Sequence, residues 1–91
     1  AILCIVKVTY NNSATAGIRV RWLYSADGTN FDSIEEAEAQ GNYYDLTFTA
    51  GATRQTSILL PIFAPFVKIQ IVNKDATYAQ TLNNVWTILL R

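Results

Sequence analysis

The chain predicts an all-β fold: an antiparallel β-sandwich of six to seven strands with one short helix, Ig-like or jelly-roll-like in plan. Three observations lead there. Apolar residues alternate with period two over most of the sequence, the positions between them are rich in Thr, Asn, Gln and Ser, and turn-forming pairs recur at short intervals. Strands this closely spaced in 91 residues fit two packed sheets better than a closed barrel, although the pattern leaves the barrel open. A chain of this length buries about 64% of the surface its unfolded form exposes, enough for one core, so residues 1–91 read as a single domain.

Taken in order, the first strand places Ile2, Cys4, Val6, Val8 and Tyr10 on one face. In residues 17–25, Ile18, Val20, Trp22 and Tyr24 share a face and Arg19, Arg21 and Ser25 the other, with Leu23 out of pattern. Asp27-Gly28 supplies a pair suited to positive φ, and Phe31 is the next apolar anchor. Residues 33–40 alone look helical: Ser33 and Glu36 have capping-box spacing, Glu35, Glu36 and Glu38 favour the first turns, and Gly41 can end the helix. Tyr44, Leu46 and Phe48 alternate with polar residues up to Ala50-Gly51. The strand from Thr53 to Leu60 is cut by Pro61 and Pro65, which cannot donate to a central ladder and so mark a crossing or a corner. Phe66 to Val72 turns Val67, Ile69 and Ile71 inward and ends at Asn73-Lys74-Asp75, and Val85 to Arg91 closes the chain.

The first strand breaks the pattern of one wet face. Residues 2–6 are apolar on both sides, and only from Lys7 does the outer face become polar. Cys4 and Val6 can line a core, but Leu3 and Ile5 then need a second apolar partner. A segment of roughly 20 Å left in water at a chain end would be an aggregation hazard. Two arrangements answer this. Either the strand is central and covered on both faces by the helix or the Pro61–Pro65 loop, or residues 1–6 leave their own domain and complete a neighbour's sheet as a donor strand. A plain dimer interface is a third. On the second arrangement Ile2, Leu3, Cys4, Ile5 and Val6 form the assembly interface.

Several chemistries are set aside by absence. Histidine, the commonest general base and neutral metal ligand, does not occur, and the single cysteine, Cys4, can form neither an internal disulfide nor a thiolate metal site. No cofactor is expected, no nucleophile stands out, and the expectation is a protein that is not an enzyme. No apolar run reaches about 18 residues, so no helical membrane span is expected. The start at Ala1 fits either removal of Met or cleavage of a secretion signal.

Charge is segregated. Asp27, Asp32, Glu35, Glu36, Glu38 and Asp45 all lie between Arg21 and Arg54, an interval without a basic residue, while the rest of the chain carries seven basic residues against Asp75 alone. Arg19, Arg21 and Arg54 on one copy could therefore meet Glu35, Glu36 and Glu38 on the next, fixing orientation, and an unclosed head-to-tail contact gives a filament. A solvated acidic loop is the simpler account of the same cluster. Zero net charge and the lack of aromatic residues interleaved with Arg19 and Arg21 argue against a nucleic-acid partner.

Other candidates have ordinary structural readings beside the functional ones. Asp27, Asn30, Asp32 and Glu36 offer hard oxygen ligands for calcium, although their spacing is not that of an EF-hand and Asx turns or capping explain them equally. Asn11-Asn12-Ser13 matches the N-glycan acceptor pattern at Asn11. Among the aromatics, Trp22 and Tyr24 belong to the core, Trp86 groups with Ile88 and Leu90, and Tyr43 is the one expected on the surface.

The segment from Leu23 to Phe31, LYSADGTNF, resembles the strand-turn-strand of extracellular β-sandwich modules, including discoidin-like carbohydrate-binding domains. The likeness spans nine residues. The chain is shorter than a discoidin domain and lacks its cysteine pair, so no ligand residues carry over. As a whole, with Thr/Asn-rich strands and an apolar N-terminal strand, the chain is similar to small β-sandwich subunits of prokaryotic extracellular filaments and phage virion fibres. That resemblance implies an extracellular or cell-surface structural subunit whose partners are copies of itself. The alternatives are a phage virion structural protein and a carbohydrate-binding module using Tyr43, Tyr44 or Trp86.

Overall fold

The computed structural model describes residues 1–90. Its elements are β1 (Ile2–Thr9), β2 (Ile18–Ser25), α1 (Ile34–Ala39), β3 (Tyr43–Asp45), β4 (Thr53–Leu60), β5 (Phe66–Asn73) and β6 (Thr81–Leu89). They form two three-stranded antiparallel sheets, with strand orders β4-β1-β6 and β3-β2-β5, a sandwich-like all-β fold. The last strand starts four residues before the Val85 expected from sequence, and Arg91 lies outside the described residues. The strand expected through Phe48 is regular only from Tyr43 to Asp45.

The expected alternation places the core. Cys4, Val6, Val8 and Tyr10 meet Ile18, Val20 and Trp22 across the sandwich, with Leu46, Ile58 and Leu60 completing the buried cluster. Phe48 packs edge-on to Tyr10, ring centroids 4.9 Å apart. The segment before β4 therefore serves the core although it is not in a ladder.

Leu23, out of pattern in the sequence, is buried because its face of β2 is not solvent: α1 packs against it and buries Ala37. Ser33 starts α1 by accepting the Glu36 N–H on its hydroxyl at 3.2 Å, and Gly41, at φ +77°, turns the chain away after it. The turn leaving β2 is held by Asp27, whose carboxylate accepts from the Thr29 and Asn30 N–H groups at 2.9 and 2.8 Å. Gly28 adopts φ +78°, and a Cβ there would lie 3.2 Å from the Phe66 ring, so this position needs glycine both for its backbone and for the close approach.

Leu59 and Leu60 are neighbours in β4 on opposite faces, 62% and 0% exposed. Leu60→Ala is expected to lower unfolding free energy by about 2–5 kcal/mol, and Leu59→Ala by less than about 1 kcal/mol. Urea denaturation of the two variants, below any concentration at which the protein associates, checks the contrast.

Candidate assembly surface

β1 is the centre of its own sheet. All eight of its residues are in register with β4 on one side, and with β6 on the other apart from a bulge between Lys7 and Val8. The strand expected to serve a neighbour thus has both hydrogen-bonding edges occupied within the chain, and Cys4 and Val6 fill this chain's core. Neither the helix nor the Pro61–Pro65 loop supplies the second cover that the central-strand arrangement called for. The helix lies on β2, and Leu3 and Ile5 keep a half-buried outer face.

The register shows what surrounds them. Leu3 lies between Leu59 and Ile88, Ile5 between Ser57 and Trp86, and Lys7 between Gln55 and Asn84. Residues opposite one another in a sheet share a face. Leu3, Ile5, Leu59, Trp86 and Ile88 therefore form one continuous apolar patch, with Trp86 40% exposed. Beyond Lys7 the same face turns polar. Thr9 shares a hydrogen bond with the Thr53 hydroxyl at 2.8 Å and donates to Asn83 Oδ1 at 2.9 Å.

The apolar half continues around the end of the sandwich. Leu89 and Leu90 are exposed there, and the loop from β4 to β5 carries Ile62 and Phe63, the latter 81% exposed. Pro61 and Pro65 bracket this loop, and the Tyr24 hydroxyl ties it down by donating to the Pro61 carbonyl at 2.5 Å. The chain ends meet at the same place, where the Leu90 N–H donates to the Ala1 carbonyl at 2.9 Å.

The charges expected to set orientation between copies are arranged differently. Arg19 grips Asp45 through two nitrogens at 2.7 and 3.1 Å and reaches Glu38 at 2.9 Å, with its guanidinium 4.1 Å from the Tyr43 ring centroid. Arg21, buried, donates to the same Glu38 oxygen at 3.0 Å and to Gln70 at 2.9 Å. Lys74 adds a third cation, 3.3 Å from Asp45. These hydrogen bonds hold the Glu38 and Asp45 carboxyls below their ordinary pKa. Arg19, Arg21 and Glu38 are thus engaged within one chain, pinning α1 and β3 to β2. Arg54 donates to Thr49 Oγ1, while Glu35 and Glu36 remain on the exposed side of α1.

Asp27 accepts hydrogen bonds from Ser25, Thr29 and Asn30, which depress its pKa and occupy its oxygens as an Asx turn. Among the described residues no three His, Cys, Asp or Glu side chains gather as a metal site, so Asp27, Asp32 and Glu36 do not converge with Asn30 on a common point. Asn11 uses its side-chain oxygen to accept the Ser13 N–H at 2.8 Å, closing a local turn. Cys4 is fully buried, and burial raises its thiol pKa. There is no cavity among the described residues.

Two aromatic expectations are corrected. Trp86 is on the outer face, because β6 turns Val85 inward and so Trp86 outward. Tyr43 is half covered by Arg19, while Tyr44, at the sheet edge, is the more exposed of the pair. Sequence reasoning passed over Leu59 and Ile88 as surface residues, and weighed Trp86 as one only in the carbohydrate-binding alternative. The signal was present: Ile58-Leu59-Leu60 and Ile88-Leu89-Leu90 are unbroken apolar runs, like Ile2 to Val6. No family profile, curated protein or solved structure matches the chain.

At the opposite, polar end, Asp75 joins two loops by accepting the Thr15 N–H at 2.8 Å and the Thr77 and Tyr78 N–H groups at 2.9 and 2.8 Å. These bonds lower its pKa from 3.8 to about 2. A depressed carboxylate contributes stability that is present above its unfolded pKa and is lost as pH falls through the folded one. Asp75→Ala should therefore lower Tm at pH 7, and its further loss of Tm between pH 4 and 2 should be smaller than that of the unaltered protein in paired thermal scans.

Proposed function

We propose that the chain is a self-assembling structural subunit of an extracellular filament or pilus-like fibre. Its contact is the outer face of β4-β1-β6, with β1 contributing a surface rather than a released strand. The observation that carries this reading is the continuous apolar patch of Leu3, Ile5, Leu59, Trp86 and Ile88, on a sheet that has an opposing layer on only one side. Charged residues are absent from the patch and polar ones rim it at Lys7, Gln55 and Asn84, as an interface core and rim require. Support also comes from the lack of a cavity or carboxylate cluster among the described residues that would favour a small-molecule or metal function.

Magnitudes constrain the mode. Burying the exposed parts of these five side chains contributes about 1 kcal/mol or less each, at most about 5 kcal/mol from each copy. Bringing two molecules together costs about 4–15 kcal/mol in lost freedom of motion. One such contact is weak, so the face serves an assembly that repeats it many times or adds a second contact beside it.

The unaltered protein at micromolar concentration is expected to form fibres visible by negative stain, with a fast-sedimenting population in the ultracentrifuge. Leu3→Thr/Ile88→Thr, which keeps β-formers on a solvated face, is expected to remain folded by circular dichroism and sediment as a monomer. A wild-type chain that stays monomeric up to millimolar concentration overturns the reading. Monomers that bind a glycan array and lose binding on Trp86→Ala would replace it with the carbohydrate-binding alternative.

A further inference from the structure

Sheet β4-β1-β6 has two open edges, and their residues match. Because β4 and β6 are both antiparallel to β1, they run parallel to one another, so β6 of one copy can lie beside β4 of the next by translation across the strands. At the register set by β1, Ile88 then meets Leu59, Trp86 meets Ser57, Asn84 meets Gln55, and Thr81 meets Thr53. Apolar faces apolar, amide faces amide and threonine faces threonine, with the Trp86–Ser57 row placing a small residue beside the largest. No like charges oppose one another.

These edges also lack the devices by which sheets usually avoid pairing. Neither β4 nor β6 contains a proline, β6 contains no charged residue, and the only charge in β4 is Arg54 near its start. The bulge on the β1–β6 ladder lies towards the polar end, leaving Asn84 to Leu89 regular. The Val85 N–H donates to the side chain of its own neighbour Asn84 at 3.0 Å. In the other sheet the edges are guarded: β3 is three residues long, and β5 carries Lys68 in its interior.

We propose that copies of this chain join edge to edge, β6 of one against β4 of the next, extending the β4-β1-β6 sheet as a parallel ladder. This rests on the assembly reading above and supplies the second contact that its magnitudes call for. The ladder satisfies backbone groups at each joint, worth about 0.5–1.5 kcal/mol per hydrogen bond. It also lines up the Leu59, Leu3 and Ile88 side chains of successive copies into one apolar ribbon along the assembly. Strand twist of about 20–25° per step winds that ribbon by about 60–75° per copy. The contact is heterologous and does not close on itself, so it propagates.

A charge exchange at the matched amide pair tests it. In Gln55→Glu/Asn84→Glu both new carboxylates flank Lys7 within the same chain, which supports the fold, but Glu would face Glu across every joint. The concentration at which fibres first sediment is expected to rise about fivefold, with the increase shrinking at 1 M salt. Gln55→Glu/Asn84→Lys, with opposite charges across the joint, is expected to assemble at or below the wild-type concentration. Wild-type fibres with both double variants unchanged, or altered alike, overturn the edge contact and leave the assembly reading standing. A wild-type chain that does not assemble removes both.

Discussion

The molecule is organised around β1, hydrogen-bonded along both edges and buried on one face only. A central strand of a three-stranded sheet contributes every other side chain to each side, and here one side is the sandwich core while the other has no layer above it. Cys4, Val6 and Val8 cannot move outward without opening the core, and Leu3 and Ile5 cannot move inward without the same slip. The exposed apolar surface is thus a consequence of the register that builds the fold. It cannot be relieved by a local rearrangement, and the neighbouring Leu59, Trp86 and Ile88 add to it.

The second sheet meets the same problem and closes it internally. The outer face of β2 carries Arg19, Arg21 and Leu23, and the chain lays α1 over them so that Ala37 is buried and Glu38 accepts both guanidinium groups. Arg21 is desolvated there, and its bonds to Glu38 and Gln70 offset a burial that would otherwise be costly. One face of the sandwich is therefore finished by a helix and an ion-pair network. The other ends in hydrocarbon and two unguarded edges. On the proposed reading, that asymmetry is what sets this surface apart from scattered exposed leucines.

Much of this was legible in the sequence. Alternation at Ile18, Val20, Trp22 and Tyr24 located the inner face of β2, the Pro61–Pro65 pair located the crossing between sheets, and Ser33 with Glu36 located the helix start. Two-sided apolarity in residues 2–6 correctly marked β1 as unusual. Pattern alone could not say which elements flank it, because strand order is a property of long-range pairing: β1 meets residues 44 to 58 positions away on β4 and 72 to 87 positions away on β6. For the same reason Trp86 read as core, since a run apolar on both faces carries no sign of which face is inward. Arg19 and Arg21 read as a free basic stripe because their partners, Glu38, Asp45 and Gln70, arrive only through the packing of α1, β3 and β5.

Placement of the charges bears on how the open surface can be used. Arg19, Arg21, Lys74, Glu38 and Asp45 are engaged with one another on the far sheet, and the patch of Leu3, Ile5, Leu59, Trp86 and Ile88 carries no charge, so in the proposed assembly ion pairs at that patch do not select the partner. Selectivity on the β4-β1-β6 side must then come from short-range shape and from backbone pairing, which are indifferent to the sequence of a partner unless the rows of side chains also match. Matching rows are what the two edges of this sheet present to one another: hydrocarbon at Leu59 and Ile88, amides at Gln55 and Asn84, hydroxyls at Thr53 and Thr81. A foreign strand would have to reproduce that order in a parallel direction, whereas a second copy carries it by construction.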